Sequence, residues 1–160
     1  MSPRQHRSRW VWSALLTVVP VVAIGCAPDR NEETGELAES AEVDVFDLEV
    51  GDCLADFQQQ TAFSSIKAVP CSEPHSDEIY ASGSIPDGEY PGAMAIEAAA
   101  DDICRAEYEA FVGLPYDDSV LDISYLTPTE RSWGRGDRTV LCTIFDPAEE
   151  VIGTLRGAER

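Results

Sequence analysis

His75 stands among carboxylates in Cys71-Ser72-Glu73-Pro74-His75-Ser76-Asp77-Glu78, where an imidazole and several acids could assemble an acid–base or metal-binding group. A catalytic zinc site normally takes three protein ligands, with His or Cys pairs among them. His6, the other histidine, belongs to the basic N-terminus, so one imidazole beside an oxidised Cys71 falls short of that set. A Ser-His-Asp hydrolase would also have to use His75, and no G-x-S-x-G elbow carries its serine. The segment therefore reads as a turn in which His75 is oriented by Asp77 or by a backbone group. Gly134-x-Gly136 is too short to cradle a phosphate and follows no βαβ pattern. Glycosidase-type carboxylate pairs carry no information, because 30 acidic residues make some pair inevitable. No catalytic set, metal site or cofactor motif emerges, and the chain is expected not to be an enzyme.

A second chemistry is recognition. The stretch Pro128-Thr129-Glu130-Arg131-Ser132-Trp133-Gly134-Arg135-Gly136-Asp137-Arg138 gathers three arginines around a tryptophan in an acidic chain. Trp and Arg are the side chains most often found as binding anchors. Trp133, Arg135 and Arg138 are the candidate partner-binding residues. The competing expectation is that Trp133 covers the edge of the core while the arginines pair with local acids.

Cysteine chemistry comes third. Five cysteines occur, and the first, Cys26, closes an export-type leader. Arg4, Arg7 and Arg9 precede an uncharged run from Trp10 to Ile24, and small Gly25 sits directly before Cys26. The pattern resembles a bacterial lipoprotein signal over residues 1–25, with Cys26 acylated as the mature N-terminus. Ala23 occupies a position where such signals usually carry Leu. A single membrane-spanning anchor over residues 10–28 is the alternative, weakened by Pro20 and by the acidic Asp29-Arg30-Asn31-Glu32-Glu33 that follows. Either way the body is expected on the outer face of the cytoplasmic membrane, since the N-terminal arginines hold that end inside.

Setting Cys26 aside leaves Cys53, Cys71, Cys104 and Cys142, an even set suited to two disulfides in an oxidising compartment. Three pairings are open, and the surrounding elements choose among them. Pro91-Gly92 opens and Gly113-Leu114-Pro115 closes a helix whose Ile96, Ala100, Ile103, Cys104, Tyr108 and Phe111 share a face, with Glu107 an unexplained intruder. Strands are expected over Ile79–Ile85, Val120–Leu126 (Leu121, Ile123 and Tyr125 inward) and Thr139–Phe145. Val151–Leu155 is expected to form a hairpin with the last of these through Asp146-Pro147-Ala148-Glu149. The fold class is α+β, one main helix packed on an antiparallel sheet. Cys104 on the helix face would then meet Cys142, which shares a strand face with Val140 and Ile144, leaving Cys53 to Cys71.

Between the leader and the body, residues 26–44 are rich in Glu and lack a run of large apolar side chains, so a disordered acidic tether is expected there. The folded domain is expected over residues 45–158. Three of the 11 cationic residues lie in the leader, leaving eight against 30 acids, a formal charge of −22. Such a body repels nucleic acid and anionic headgroups or wall polymers.

The order of short motifs resembles a known family. Val45-Phe46-Asp47-Leu48-x-Val50-Gly51-Asp52-Cys53-Leu54, Val69-Pro70-Cys71-x-x-Pro74-His75-x-x-Glu78, Pro91-Gly92, Ser132-Trp133-x-x-Gly136-Asp137-Arg138-x-Val140-x-Cys142 and Gly153-x-Leu155-x-Gly157 are similar to the septum formation family of actinobacterial envelope proteins. The resemblance implies an exported or membrane-tethered domain with paired cysteines and a link to cell division; it implies no catalytic residues. The expected function is a membrane-tethered binding or scaffolding module of the envelope, with a cell-wall glycan hydrolase using an acid pair as the alternative. The expected partner is an envelope protein with a basic patch, or a neutral glycan, with the membrane engaged through the lipid.

Overall fold

A computed structural model describes residues 29–31, 35–59 and 64–160. The leader and Cys26 lie outside the described residues. Six strands form one antiparallel sheet: β1 (Ala41–Asp44), β2 (Cys53–Leu54), β3 (Ser65–Val69), β4 (Asp77–Ser84), β5 (Asp122–Leu126) and β6 (Thr139–Phe145), in the order β1-β3-β2-β4-β6-β5. One long helix, α1 (Ala93–Val112), lies against β4, β5 and β6, and a single turn, α2 (Glu130–Trp133), precedes β6. This is the α+β arrangement that the sequence predicts. No helix among the described residues is long and apolar enough to cross a membrane.

The helix ends where its punctuation places it. Gly113 adopts the left-handed conformation (φ 88°) and its N–H closes on Glu109 O. Ile96, Ala100, Cys104, Tyr108 and Val112 are buried, a strict i, i+4 row. Such a row drifts about 40° around the helix at each step. That drift carries the buried stripe away from Glu107, which is exposed. Gly83 in β4 permits the close approach of α1: a Cβ there would fall 2.5 Å from Ile103 Cγ2.

Two cores flank the sheet. On the helix side, Val140, Cys142 and Ile144 of β6 meet the α1 row with Tyr80, Leu121 and Trp133, and Ile123 and Tyr125 pack at its margin. On the opposite side, Leu141 and Ile79 meet Leu54, Ile66, Ala68 and Val43, so the N-terminal strands cover the second face. A bulge makes this crossing work. Ile79 pairs with Thr143 but Ala81 pairs with Cys142, and the extra residue, Tyr80, switches which face β4 presents. Both disulfides are the expected ones: Cys53–Cys71 and Cys104–Cys142, with Cα–Cα distances of 5.2 and 5.4 Å.

Two expectations are corrected. Val151–Leu155 does not form a hairpin with β6, because β4 and β5 already occupy both edges of β6. Val151 instead makes an isolated bridge with His75, and Gly153 N–H bonds Cys71 O. The described residues between 29 and 44 are not a free tether. Ala41–Asp44 pairs with β3, Leu37 is buried, and Arg30 is bonded to buried Asp52. One leucine, a four-residue strand and an ion pair suffice for docking where no long apolar run exists.

Candidate functional site

Three places gather chemistry-bearing side chains. The first is the Trp–Arg segment. Thr129 and Ser132 form a reciprocal capping box that starts α2 and aims Trp133 inward. Trp133 is only 5 % exposed, its Nε1 donates to Gly88 O at 3.0 Å, and Tyr90 meets the indole edge-on at 5.8 Å. The Arg138 guanidinium lies 3.7 Å from the ring centroid and bonds Asp87 Oδ1 at 2.7 and 3.1 Å. This pairing holds the Asp87 carboxyl below its ordinary range. The structure thus brings Trp133 and Arg138 together as a clamp on the 85–90 loop at the core edge, not as a free anchor. Arg135 is exposed, as is Arg131 one turn earlier, and neither side chain has an ion pair or hydrogen bond among the described residues.

The second place is the turn at His75. The ring is fully buried, and Nδ1 donates to Glu73 O at 2.8 Å, the backbone orientation that the sequence suggests. Asp77 Oδ1 accepts from Gln58 Nε2 at 2.7 Å and from Thr143 Oγ1 at 3.2 Å. Glu78 accepts from Thr154 Oγ1 at 2.6 Å and from Leu155 N–H at 2.7 Å, pinning the C-terminal strap to β4. Burial pushes the carboxyls of Asp77 and Glu78 above their ordinary values, partly opposed by these hydrogen bonds. His75 Nε2 and Asp77 Oδ2 have no hydrogen-bond partner among the described residues. Among the described residues no three of His, Cys, Asp and Glu converge as metal ligands. A shallow cavity of about 400 Å³ follows the strap, lined by Glu149, Glu150, Ile152, Thr154 and Arg160. It presents neither a nucleophile beside a base nor an oxyanion cradle.

The third place escapes the sequence reading. Arg30 Nη2 bonds Asp52 Oδ2 at 3.0 Å and its Nη1 bonds Oδ1, a bidentate pair, while Asp52 Oδ2 also accepts from Glu49 N–H at 2.9 Å. Arg30 also donates to Gly35 O at 3.1 Å. The aspartate hydrogen bonds raise the proton affinity of the guanidinium further. The available signal was a lone cation in an acidic stretch and an aspartate fixed next to Cys53.

With α+β fold, two staples and this turn in place, the molecule is a small disulfide-bonded domain of the septum formation type. The chain belongs to the septum formation family, whose model matches residues 50–157. Membership points to a role in the septum or in cell division. No curated protein and no solved structure matches the chain.

Proposed function

We propose that the protein is a lipid-anchored, extracytoplasmic binding or scaffolding module that serves septum formation by holding another envelope component near the membrane. The observation that carries this reading is the use made of His75, Asp77 and Glu78. All three are buried, and their hydrogen bonds go to Glu73 O, Gln58, Thr143, Thr154 and Leu155 N–H, which are structural tasks. Two disulfides suit an oxidising compartment. Cys26, in its lipoprotein-like context, supplies the anchor. Arg135, with Arg131 beside it, is the solvent-facing part of the Trp–Arg segment, and the Trp133–Arg138 clamp is its platform.

Intact mass of the membrane-extracted protein is expected to show a diacylglyceryl-modified Cys26 as the first residue. Capture from solubilised envelope is expected to return a partner that Arg131→Glu with Arg135→Glu releases, and a fluorescent fusion is expected at the septum. Turnover of purified wall fragments by the protein would replace this reading with the hydrolase one. Capture of nothing, with no septal signal, would remove the division role.

A further inference from the structure

Among the described residues, five large apolar side chains are left in solvent, and two of them share one loop. Phe46 is 67 % exposed and Val50 is 42 % exposed, both between β1 and β2. Arg30 is seated on that same loop: its Nη2 donates to Asp47 O at 3.4 Å, its Nε lies 3.8 Å from Glu49, and its guanidinium is paired with Asp52. Asp47 follows Phe46 and Glu49 precedes Val50. The described residues nearest Cys26 are therefore fastened beside the apolar pair. Ile152, 71 % exposed, extends this side, because Gly153 N–H bonds Cys71 O and Cys71 Sγ lies 3.5 Å from Gly51 O.

Three peptide steps separate Cys26 from Asp29, and even fully extended they span at most ~11 Å. Interfacial contacts bury apolar groups about 5–10 Å into the headgroup–acyl boundary. An acylated Cys26 thus holds this face, and not the face covered by α1, at the depth where lipid contact begins.

We infer that residues 45–50 form a membrane-contact surface, in which Phe46 and Val50 enter the headgroup–acyl boundary beside the lipid on Cys26 and fix the orientation of the domain. The inference rests on the proposed acylation of Cys26. One acyl anchor fixes position and leaves rotation free; a second apolar contact removes that freedom. Asp44, Asp47 and Glu49 frame the pair and are exposed, so the contact favours zwitterionic over anionic lipid. Met94, 86 % exposed at the N-terminal end of α1 on the other side of the sheet, is held away from the bilayer.

The test uses the full, processed protein in phosphatidylcholine vesicles, as Phe46→Trp and Met94→Trp variants. Trp133, the only tryptophan beyond the leader, is buried and gives the same background in both. Lipids brominated high on the acyl chain should lower emission from position 46 at least about twofold while leaving position 94 at the background. Adding phosphatidylglycerol at low salt should weaken the quenching at 46. Acylated, vesicle-bound protein with equal quenching at 46 and 94 would overturn the inference and leave the anchor standing. So would shielding of position 46 by a captured protein in place of lipid. Unmodified Cys26 together with failure to float with vesicles would remove the anchor, and the inference with it.

Discussion

On the helix side of the sheet, sixteen buried residues pack into one cluster that draws on α1, β4, β6, Trp133 and the C-terminal strap. On the other side nine do so: Val43, Leu54, Ile66 and Ala68 from strands of two to five residues, Ile79 and Leu141 from β4 and β6, and Leu37, Leu48 and Phe57 from the connections. The richer side carries the Cys104–Cys142 bond across its middle. The N-terminal half adds the Arg30–Asp52 pair and the Cys53–Cys71 bond, which packs with Val69 in a small cluster of its own. Apolar area scales with stabilisation, so the N-terminal half leans on a cross-link and an ion pair where the helical half leans on burial. Local opening is accordingly expected to begin at β1 and β3.

The largest effect is expected from removing the staple of the stronger half. Cys104→Ala with Cys142→Ala should lower stability in urea by about 4 kcal/mol, the chain-entropy value for its 38-residue span. Cys53→Ala with Cys71→Ala closes a shorter span of 18 residues and should cost about 3 kcal/mol. A reversed order would show that the weaker half depends on its bond beyond chain entropy.

Asp52→Ala sharpens the contrast, since it strands the Arg30 guanidinium and the Glu49 N–H. A cost of about 2–3 kcal/mol is expected, with hydrogen exchange accelerated in β1 and β3 but not in α1. Equal loss of protection in α1 would mean the halves open as one unit. Gly83→Ala tests the helical half by pushing on Ile103, and about 1–2 kcal/mol should be lost through overpacking. Compensating Ile103→Leu, which removes the colliding Cγ2 methyl, should recover part of it.

The smallest effect is a slope. Because burial raises the folded-state proton affinity of Asp77 and Glu78, the folded protein holds protons that the unfolded chain has released. Their contribution is full below the unfolded carboxyl range, about pH 4, and is lost as pH rises through the raised folded values. Asp87 works the other way: its contribution is present at neutral pH and lost as pH falls through its lowered value. Asp77→Asn keeps an oxygen for Gln58 and Thr143 while abolishing ionisation. Its stability–pH profile above pH 4 should be flatter than that of the parent; an equally steep profile would assign the slope elsewhere.

What could be read from the residues follows from range. Gly92 and Gly113 bracket α1 by local backbone rules, and Cys142 between Val140 and Ile144 exposes the strand parity that pairs it with Cys104. The strap could not be read locally, because its partners His75 and Glu78 are some 76 residues away in sequence. Arg30 was hidden for a similar reason: a composition rule for tethers sums a window and misses one cation whose partner lies 22 residues on. The Trp–Arg segment misled in a different way. Residue types typical of an exposed anchor also make a good lid, and only the Gly88 bond and the Arg138 stack tell which.

The two disulfides join neighbours in the order of the chain, Cys53 to Cys71 and Cys104 to Cys142. A chain presented to its oxidant in sequence order, as the proposed export would present the body, offers these four thiols one after another. Each native partner is then the next thiol to arrive, and the first bond can close before the second pair has emerged. Under that schedule sequential oxidation alone gives the native pairing, without a shuffling step.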